Sequence, residues 1–286
     1  MGTIKKSQSE FQIAMSRFLK NRFAVICLVI LVLLYGSALL ADFFAPYSYD
    51  NEHREYAYCR PVAVRFFDNA GRLRRPFVYG MTISFDEYHQ RVYQEDETRV
   101  YPLRFFVKGD TYKILGLIPA DIRLFGVEAP GRIHLLGADS RGRDLFSRIL
   151  YGGRVSLSIG LIGVAISYSI GLLIGGIAGY YGGKVDQILM RVCEMFMMVP
   201  GFYLLLALRA VVPADFNSVQ VYCSIIVILS FIGWAGLARI IRGMCLSLKE
   251  REFVLAARVM GLSDLRIIVR HILPHTVSYS MVAVML

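Results

Sequence analysis

The sequence predicts a mainly α protein: a polytopic bundle of transmembrane helices with a small strand-rich insertion outside the membrane. Three observations predict it. Of 286 residues, 56% are hydrophobic and only 19% are charged. Mean hydropathy is +0.50. The apolar residues are gathered into long uncharged runs, whereas residues 46–136 are polar and alternate with a period of two. An ordinary soluble domain or a disordered chain has neither this composition nor these runs.

Residues 1–22 read as a cytoplasmic amphipathic segment. Phe11, Met15, Phe18 and Leu19 share one helical face among basic neighbours, the pattern of a helix lying on the inner membrane surface. The first span is 23–41; its apolar core is longer than that of a signal peptide, and Ala38–Ala41 makes a poor cleavage site. Three more stretches reach the ~20 apolar residues that a bilayer crossing needs: 155–183, 192–214 and 216–238. Glu194 and Arg209 lie near the ends of the third and are expected to snorkel. A further run begins near Val277 and reaches Leu286. Ten helical residues cover only ~15 Å, so the sequence is expected to be a truncated copy of a longer chain that stops inside helix five.

Orientation follows from lysine and arginine. Lys5, Lys6, Arg17, Lys20 and Arg22 precede the first span, and Arg239, Arg242, Lys249, Arg251, Arg258, Arg266 and Arg270 follow the fourth. Both regions are expected in the cytoplasm, with residues 46–136 outside. The net charge of +10 therefore flanks the spans and forms no stripe for nucleic acid.

In the insertion, Val62, Val64 and Phe66 alternate with Ala63, Arg65 and Phe67. Asp68–Gly71 has turn chemistry, and Phe77–Tyr79 is expected to return as a hairpin. Leu103, Phe105 and Val107 begin a second pair, with a turn expected at Lys108–Asp110 before 112–115. Residues 122–125 and 133–136 are expected to form a third pair. His53, His89 and His134 are scattered and form no ligand set. Cys27, Cys59, Cys193, Cys223 and Cys245 show no paired spacing, so neither a metal centre nor a disulfide framework is expected.

The second span carries Gly163, Ser167, Gly171, Gly175, Gly179 and Gly183 at intervals of four. This stripe of small residues suits close helix packing. Asp139, Arg141, Arg143 and Asp144 form a charged cluster at its outer mouth, either a salt-bridge set or a gate or contact for a binding protein. Residues 239–275 are expected to form a cytoplasmic loop. Within it Phe253, Ala256, Ala257 and Met260 fall at i, i+3, i+4 and i+7, on one face of a short helix. Gly261 is placed to end that helix in a left-handed cap, Ser263 to open the next, and Pro274 to mark the boundary beyond. Such a helix is built to seat in a partner's groove.

This segment, LAARVMG followed by HILPH, resembles the coupling-loop signature of ABC importer permeases: the match is Leu255-Ala256-Ala257, Gly261 and Ile272-Leu273-Pro274. Leu255 stands where the family's box opens with glutamate, and Glu252 lies one turn earlier as a substitute acid. The block from His134 to Gly160 is similar to the segment before the second span in the dipeptide, oligopeptide and nickel branch. The resemblance covers residues 9–45 and 134–286 and implies a type I importer permease in the bacterial inner membrane, with residues 137–286 as its core. It further implies a second homologous permease, two ATP-binding cassette subunits and an extracytoplasmic solute-binding protein as partners. No cofactor is expected on this chain, and ATP and Mg belong to the partner ATPases. Gly183-Lys184 lacks the first glycine and final Ser/Thr of a phosphate loop, so the chain is not expected to be an enzyme. Peptide is the expected solute; nickel is the alternative within the branch. A membrane-anchored sensor built around the insertion is the alternative outside it.

Overall fold

The computed structural model describes residues 15–16, 18–68, 71–88, 91–114, 118–277 and 280. Phe11, Arg17, His89 and most of the fifth apolar run lie outside these residues. The chain divides into two compact units between Leu157 and Ser158.

The first unit opens with α1 (Arg22–Leu39), where the Asn21 side chain accepts from the Ala24 N–H at 3.3 Å. Of α1 only Ala38 is buried, and its surface is apolar, as a lipid-facing span requires. The expected span to Ala41 is interrupted at Leu40, and a one-turn helix, α2 (Ala41–Phe44), follows. The last carbonyls of α1 have no helical donors. Arg154 supplies them: its Nε donates to the Ala38 oxygen at 2.9 Å and its Nη2 to the Leu39 oxygen at 3.0 Å. The same guanidinium meets Asp42 at 2.7 Å, and the Tyr151 hydroxyl donates to the other Asp42 oxygen at 2.8 Å.

Two antiparallel sheets form the insertion. The first has the order β1 (Arg65–Phe67), β2 (Leu73–Phe85), β3 (Arg91–Pro102); the second pairs β4 (Arg104–Ile114) with β5 (Ile118–Gly126). The first hairpin has the expected partners, with Arg65 opposite Phe77 and Phe67 opposite Leu73. Asp68 N–H donates to the Arg72 oxygen and Gly71 N–H to the Asp68 oxygen, closing the turn. Asn69 and Ala70 of this turn lie outside the described residues.

Two expectations are corrected. Lys108–Asp110 is not a turn: it lies inside β4, where the register shifts between Lys108 and Tyr112. A bulge uses the same glycine-containing chemistry without reversing the chain. Residues 122–125 pair with the start of β4, not with 133–136. The latter form no strand. Ile133 is instead fully buried against Val62 and Val78, with its N–H donated to the Tyr47 hydroxyl at 2.9 Å.

Helix α3 (Leu145–Tyr181) begins ten residues before the expected span and ends before Gly182 and Gly183, whose φ angles of 66° and 54° break it. In the second unit α4 (Gly183–Met198) and α5 (Gly201–Val211) replace the single span expected at 192–214; they are bent by 85°. Pro200 has no N–H and drives the residue before it out of helical geometry, so Val199 is extended at φ −83°, ψ 119°. Helix α6 (Ser218–Leu248) opens on a capping box between Asn217 and Gln220. It runs ten residues past the expected end at Ala238, so the expected loop 239–275 starts as helix. Arg239 and Arg242 therefore ride on α6, and Arg242 makes a bidentate pair with the buried Asp186 of α4, its Nε 2.9 Å from one carboxylate oxygen.

The glycine stripe lies against α6. A Cβ added at Gly175 would sit 2.5 Å from the Ala238 carbonyl oxygen, and one at Gly179 would sit 2.5 Å from the Cys245 Cβ. At Gly171 the nearest atom is Leu237 Cδ2, at 2.8 Å. The Ser167 hydroxyl donates to the Ser230 carbonyl at 2.7 Å. Gly163 is looser, with its nearest contact at 3.7 Å. Gly183 is not part of the stripe: it starts α4 and faces open space. Gly175→Val is expected to destabilise the detergent-solubilised protein by about 2 kcal/mol, within the usual cost of overpacking. Gly160→Ala, whose Cβ meets nothing within 4 Å, is expected to change stability much less. Parallel thermal unfolding of both variants checks the difference.

Candidate functional site

The segment after α6 forms two short helical pieces on a common core. Helix α7 (Glu252–Val259) ends at Met260, and Gly261 follows with φ 77°. Leu262 N–H donates to the Ala257 oxygen at 3.3 Å and Gly261 N–H to the Arg258 oxygen at 3.0 Å. This is the paired closure of a Schellman cap, and it needs a residue that tolerates positive φ. Ser263 holds the N-cap position of α8 (Asp264–Ile267), but its side chain makes no capping bond. A π-helical stretch, Ile268–Ile272, leads into residues 273–277, which return to α-helix.

Burial divides α7 into two faces. Val254 and Ala257 are fully buried and join Ile267, Ile268, Ile272 and Leu273 in a cluster with Tyr180, Leu237, Ile241 and Cys245. Gly176 admits this layer: its Cβ would lie 3.1 Å from Ile268 and Leu273. Polar contacts fix the register, since the Tyr180 hydroxyl donates to Asp264 at 2.7 Å and the Arg258 guanidinium stacks 5.3 Å above the Tyr180 ring. Phe253, Leu255, Ala256 and Met260 remain exposed, joined by Val259 at 88% exposure. Phe253 packs against the His275 ring at 5.0 Å, and Glu252 and Pro274 are exposed.

The expectation that Ala257 shares a presented face with Phe253, Ala256 and Met260 is thus corrected. Ala257 points into the protein. Its i, i+3 partner is Val254, and the spacing that identified an amphipathic helix did not say which neighbouring side was the inner one. A small residue at 257 lets α7 lie close to its own core.

The charged cluster before α3 also separates. The Asp139 carboxylate accepts from the Arg141 N–H at 2.8 Å, the Arg143 N–H at 3.0 Å and the Arg143 Nε at 2.9 Å, and it pairs with Arg148. Burial works against its charge, but the Arg143 and Arg141 donors prevail and hold its pKa at about 2. Arg141 reaches on to Glu52 at 3.2 Å. Asp144 is not part of this set. It is buried and accepts from both the Ser147 N–H and hydroxyl at 2.7 Å, as a helix cap does. His134, also buried, lies 3.4 Å from it. Gly142 completes the tight loop with φ 74°, where a Cβ would fall 1.8 Å from the His53 oxygen.

Glu194 pairs with Arg191 at 3.0 Å on the exposed side of α4, and Arg209 lies in the last turn of α5. Trp234 is buried in bundle packing, 5.3 Å from the Phe196 ring. Burial pushes the Cys59 thiol up to about 11. Among the described residues no group of three or more His, Cys, Asp or Glu side chains is arranged to hold a metal ion. Sequence reasoning missed the Asp42–Arg154 and Asp186–Arg242 pairs. Asp42 carried a signal, as a lone charge at the end of an apolar run that needs a partner; Asp186 and Arg242, each near another charge, did not.

A multi-pass membrane protein with an anchored helical loop after its longest-buried span is the class these features define. Residues 171–286 match the family described as binding-protein-dependent transport system inner membrane component, and residues 9–61 match the N-terminal TM domain of oligopeptide transport permease C. The dipeptide transport system permease protein DppC of Lactococcus lactis is 30% identical over 281 residues, covering 98% of this chain and 71% of the relative. That alignment takes in the strand-rich insertion. The oligopeptide transport system permease protein OppC of Mycobacterium tuberculosis is 39% identical over 152 residues, 53% of this chain and 51% of the relative. The glutathione transport system permease protein GsiD of Pectobacterium atrosepticum is 42% identical over 151 residues, 53% and 48% of the two chains. The chain belongs to the family of binding-protein-dependent transport system inner membrane components. It spans about half the length of the OppC and GsiD relatives.

Two predictions follow from the geometry. Ala257→Glu places an unpaired charge in the core beside Val254 and Ile267 and is expected to cost about 3 kcal/mol; Ala256→Glu, one residue away on the exposed side, is expected to leave unfolding unchanged. Thermal unfolding in detergent distinguishes them. For Asp139, the folded pKa lies below the unfolded value of about 3.9. Its contribution to stability is therefore present above pH ~4 and lost as pH falls toward about 2. Asp139→Asn is expected to lower stability at neutral pH and to flatten that acid limb of the stability curve.

Proposed function

We propose that this chain is a permease subunit of an ATP-driven, binding-protein-dependent importer of peptides, and that α7 is the element through which a separate ATPase acts on it. The observation that carries the reading is the division of α7. One face, Val254 and Ala257, is tied to the helices of the second unit through Tyr180, Ile241 and Cys245. The other face, Phe253, Ala256, Val259 and Met260, is apolar and exposed. A helix held on one side and apolar on the other transmits a push from a groove that receives it. Leu255 and Glu252 flank that face, Gly261 caps its far end, and Ile272 and Leu273, just before Pro274, lie in the core beneath it.

In this reading the N-terminus and the 249–275 segment are cytoplasmic and residues 46–136 are outside, in accord with the positive charge beside the spans. A second homologous permease completes the path, two ATP-binding cassette subunits hold ATP and Mg, and a solute-binding protein delivers the peptide. The glycine stripe from Gly163 to Gly179 lets α3 shift against α6. Arg141, exposed and held by Asp139 together with Arg143, offers a charged contact for the binding protein, whereas Asp144 caps α3. Peptide is favoured because the OppC and DppC relatives are named for oligopeptide and dipeptide transport.

The test is uptake by vesicles holding the chain with its ATPase and permease partners, with the solute-binding protein supplied on the opposite side from ATP. Labelled peptide is expected to accumulate with ATP, and nickel is not. Ala256→Glu is expected to reduce uptake at least ~tenfold, the scale of removing an interface anchor, with the same amount of protein in the membrane. Undiminished uptake by that variant would remove the coupling role from α7.

A further inference from the structure

The second hairpin of the insertion carries an aromatic surface that the functional reading does not use. Phe105 and Phe106 on β4 are 59% and 67% exposed, and Ile118 and Ile122 on β5 are 63% and 49% exposed. Phe106 also has φ 57°, a left-handed backbone that a phenylalanine adopts only under constraint. Elsewhere the hairpin is covered: it packs against α2, and Phe125 joins the core of Val62, Val78 and Ile133.

The position of that surface is set by α1. Eighteen helical residues span about 27 Å, close to the ~30 Å hydrocarbon thickness. Lys20 and Arg22 mark one end of this span. The other is fixed by Arg154, which closes the carbonyls of Ala38 and Leu39. Helix α2 adds four residues, about 6 Å, which is the depth of one headgroup layer. The Phe106 ring stands 6.3 Å from the ring of Phe43, four residues beyond the last residue of α1. The aromatic surface therefore continues the lipid-facing surface of α1 at its Leu39 end. Exposed cations border it: Arg104, paired with Glu128 at 2.6 Å, Lys108, 83% exposed and 3.2 Å from Asp121, and Lys113. Cations beside an apolar patch suit a phospholipid surface.

We propose that the β4–β5 hairpin rests on the lipid bilayer, with Phe105 and Phe106 entering the boundary between headgroups and acyl chains beside the end of α1. The proposal does not depend on the transported solute. The chain's one tryptophan, Trp234, is buried and gives a constant background.

The experiment places full-length Phe106→Trp in nanodiscs whose lipids are brominated close to the headgroup. Phe105→Trp serves as a second probe should the left-handed backbone at 106 reject tryptophan. Tyr88→Trp, 81% exposed at the turn of the other sheet, is the control. After subtraction of the Trp234 signal, emission from 106 or 105 is expected to fall by roughly half, as for a ring held about 5–10 Å into the interface, while the Tyr88→Trp signal stays unquenched. Emission from both probes no more quenched than the control overturns the proposal.

Discussion

The close approach of α3 to α6 is the constraint on which the second unit depends. Lipid gives helices no hydrophobic reason to associate, so contact must come from fit. At Gly171, Gly175 and Gly179 that fit leaves no room for a Cβ, and at Gly175 the obstructing atom is a backbone oxygen. Only with the backbones this close does the Ser167 hydroxyl reach the Ser230 carbonyl. The same approach brings Tyr180 over the loop, where Asp264 and Arg258 receive it. The buried face of α7 closes on the resulting layer of Ile241, Cys245 and Ile267. The loop is thus seated by apolar burial and oriented by two polar contacts, and the glycines make both possible.

The first unit solves a different problem. Its small sheets cannot enclose a large core, and polar contacts tie the unit together: Arg123 of β5 donates to the Ala45 carbonyl at 2.8 Å. Arg154 answers the open carbonyls of α1 while holding Asp42. Asp144 caps α3 from the inside, and Asp139 gathers Arg141, Arg143 and Arg148 on the outside. These charges were visible as one cluster in the sequence; three-residue spacing and tight turns at Gly137 and Gly142 sort them into a cap and a surface knot.

Much of the architecture was legible because it rests on long-range composition. The apolar runs, the four-residue glycine period, the hairpin at Asp68 and the left-handed cap at Gly261 all have local causes that a sequence displays. What was not legible depends on partners distant in sequence. Helix α6 runs on past Ala238 with Arg242 paired to Asp186, which no periodicity announces. Gly109 looked like a turn and became a bulge because β5 continues alongside it. Ala257 looked like part of a presented surface because alanine is ambiguous between the two sides of a helix; burial of Val254 beside it resolves the matter. Pro200 was readable in principle, but an uninterrupted apolar composition on both sides concealed the break.

The elbow at Val199 and Pro200 has a consequence for its surroundings. Where α4 stops, its final carbonyls lose their intrahelical donors, and where α5 starts, its first amides have no acceptors. The Pro200 oxygen takes the Tyr203 and Leu204 amides, which settles only part of that account. Acyl chains can satisfy none of the remainder, at several kcal/mol for each group left bare. An elbow at membrane depth must therefore look onto water or onto other protein: wherever the 85° bend lies within a bilayer, lipid is excluded from it.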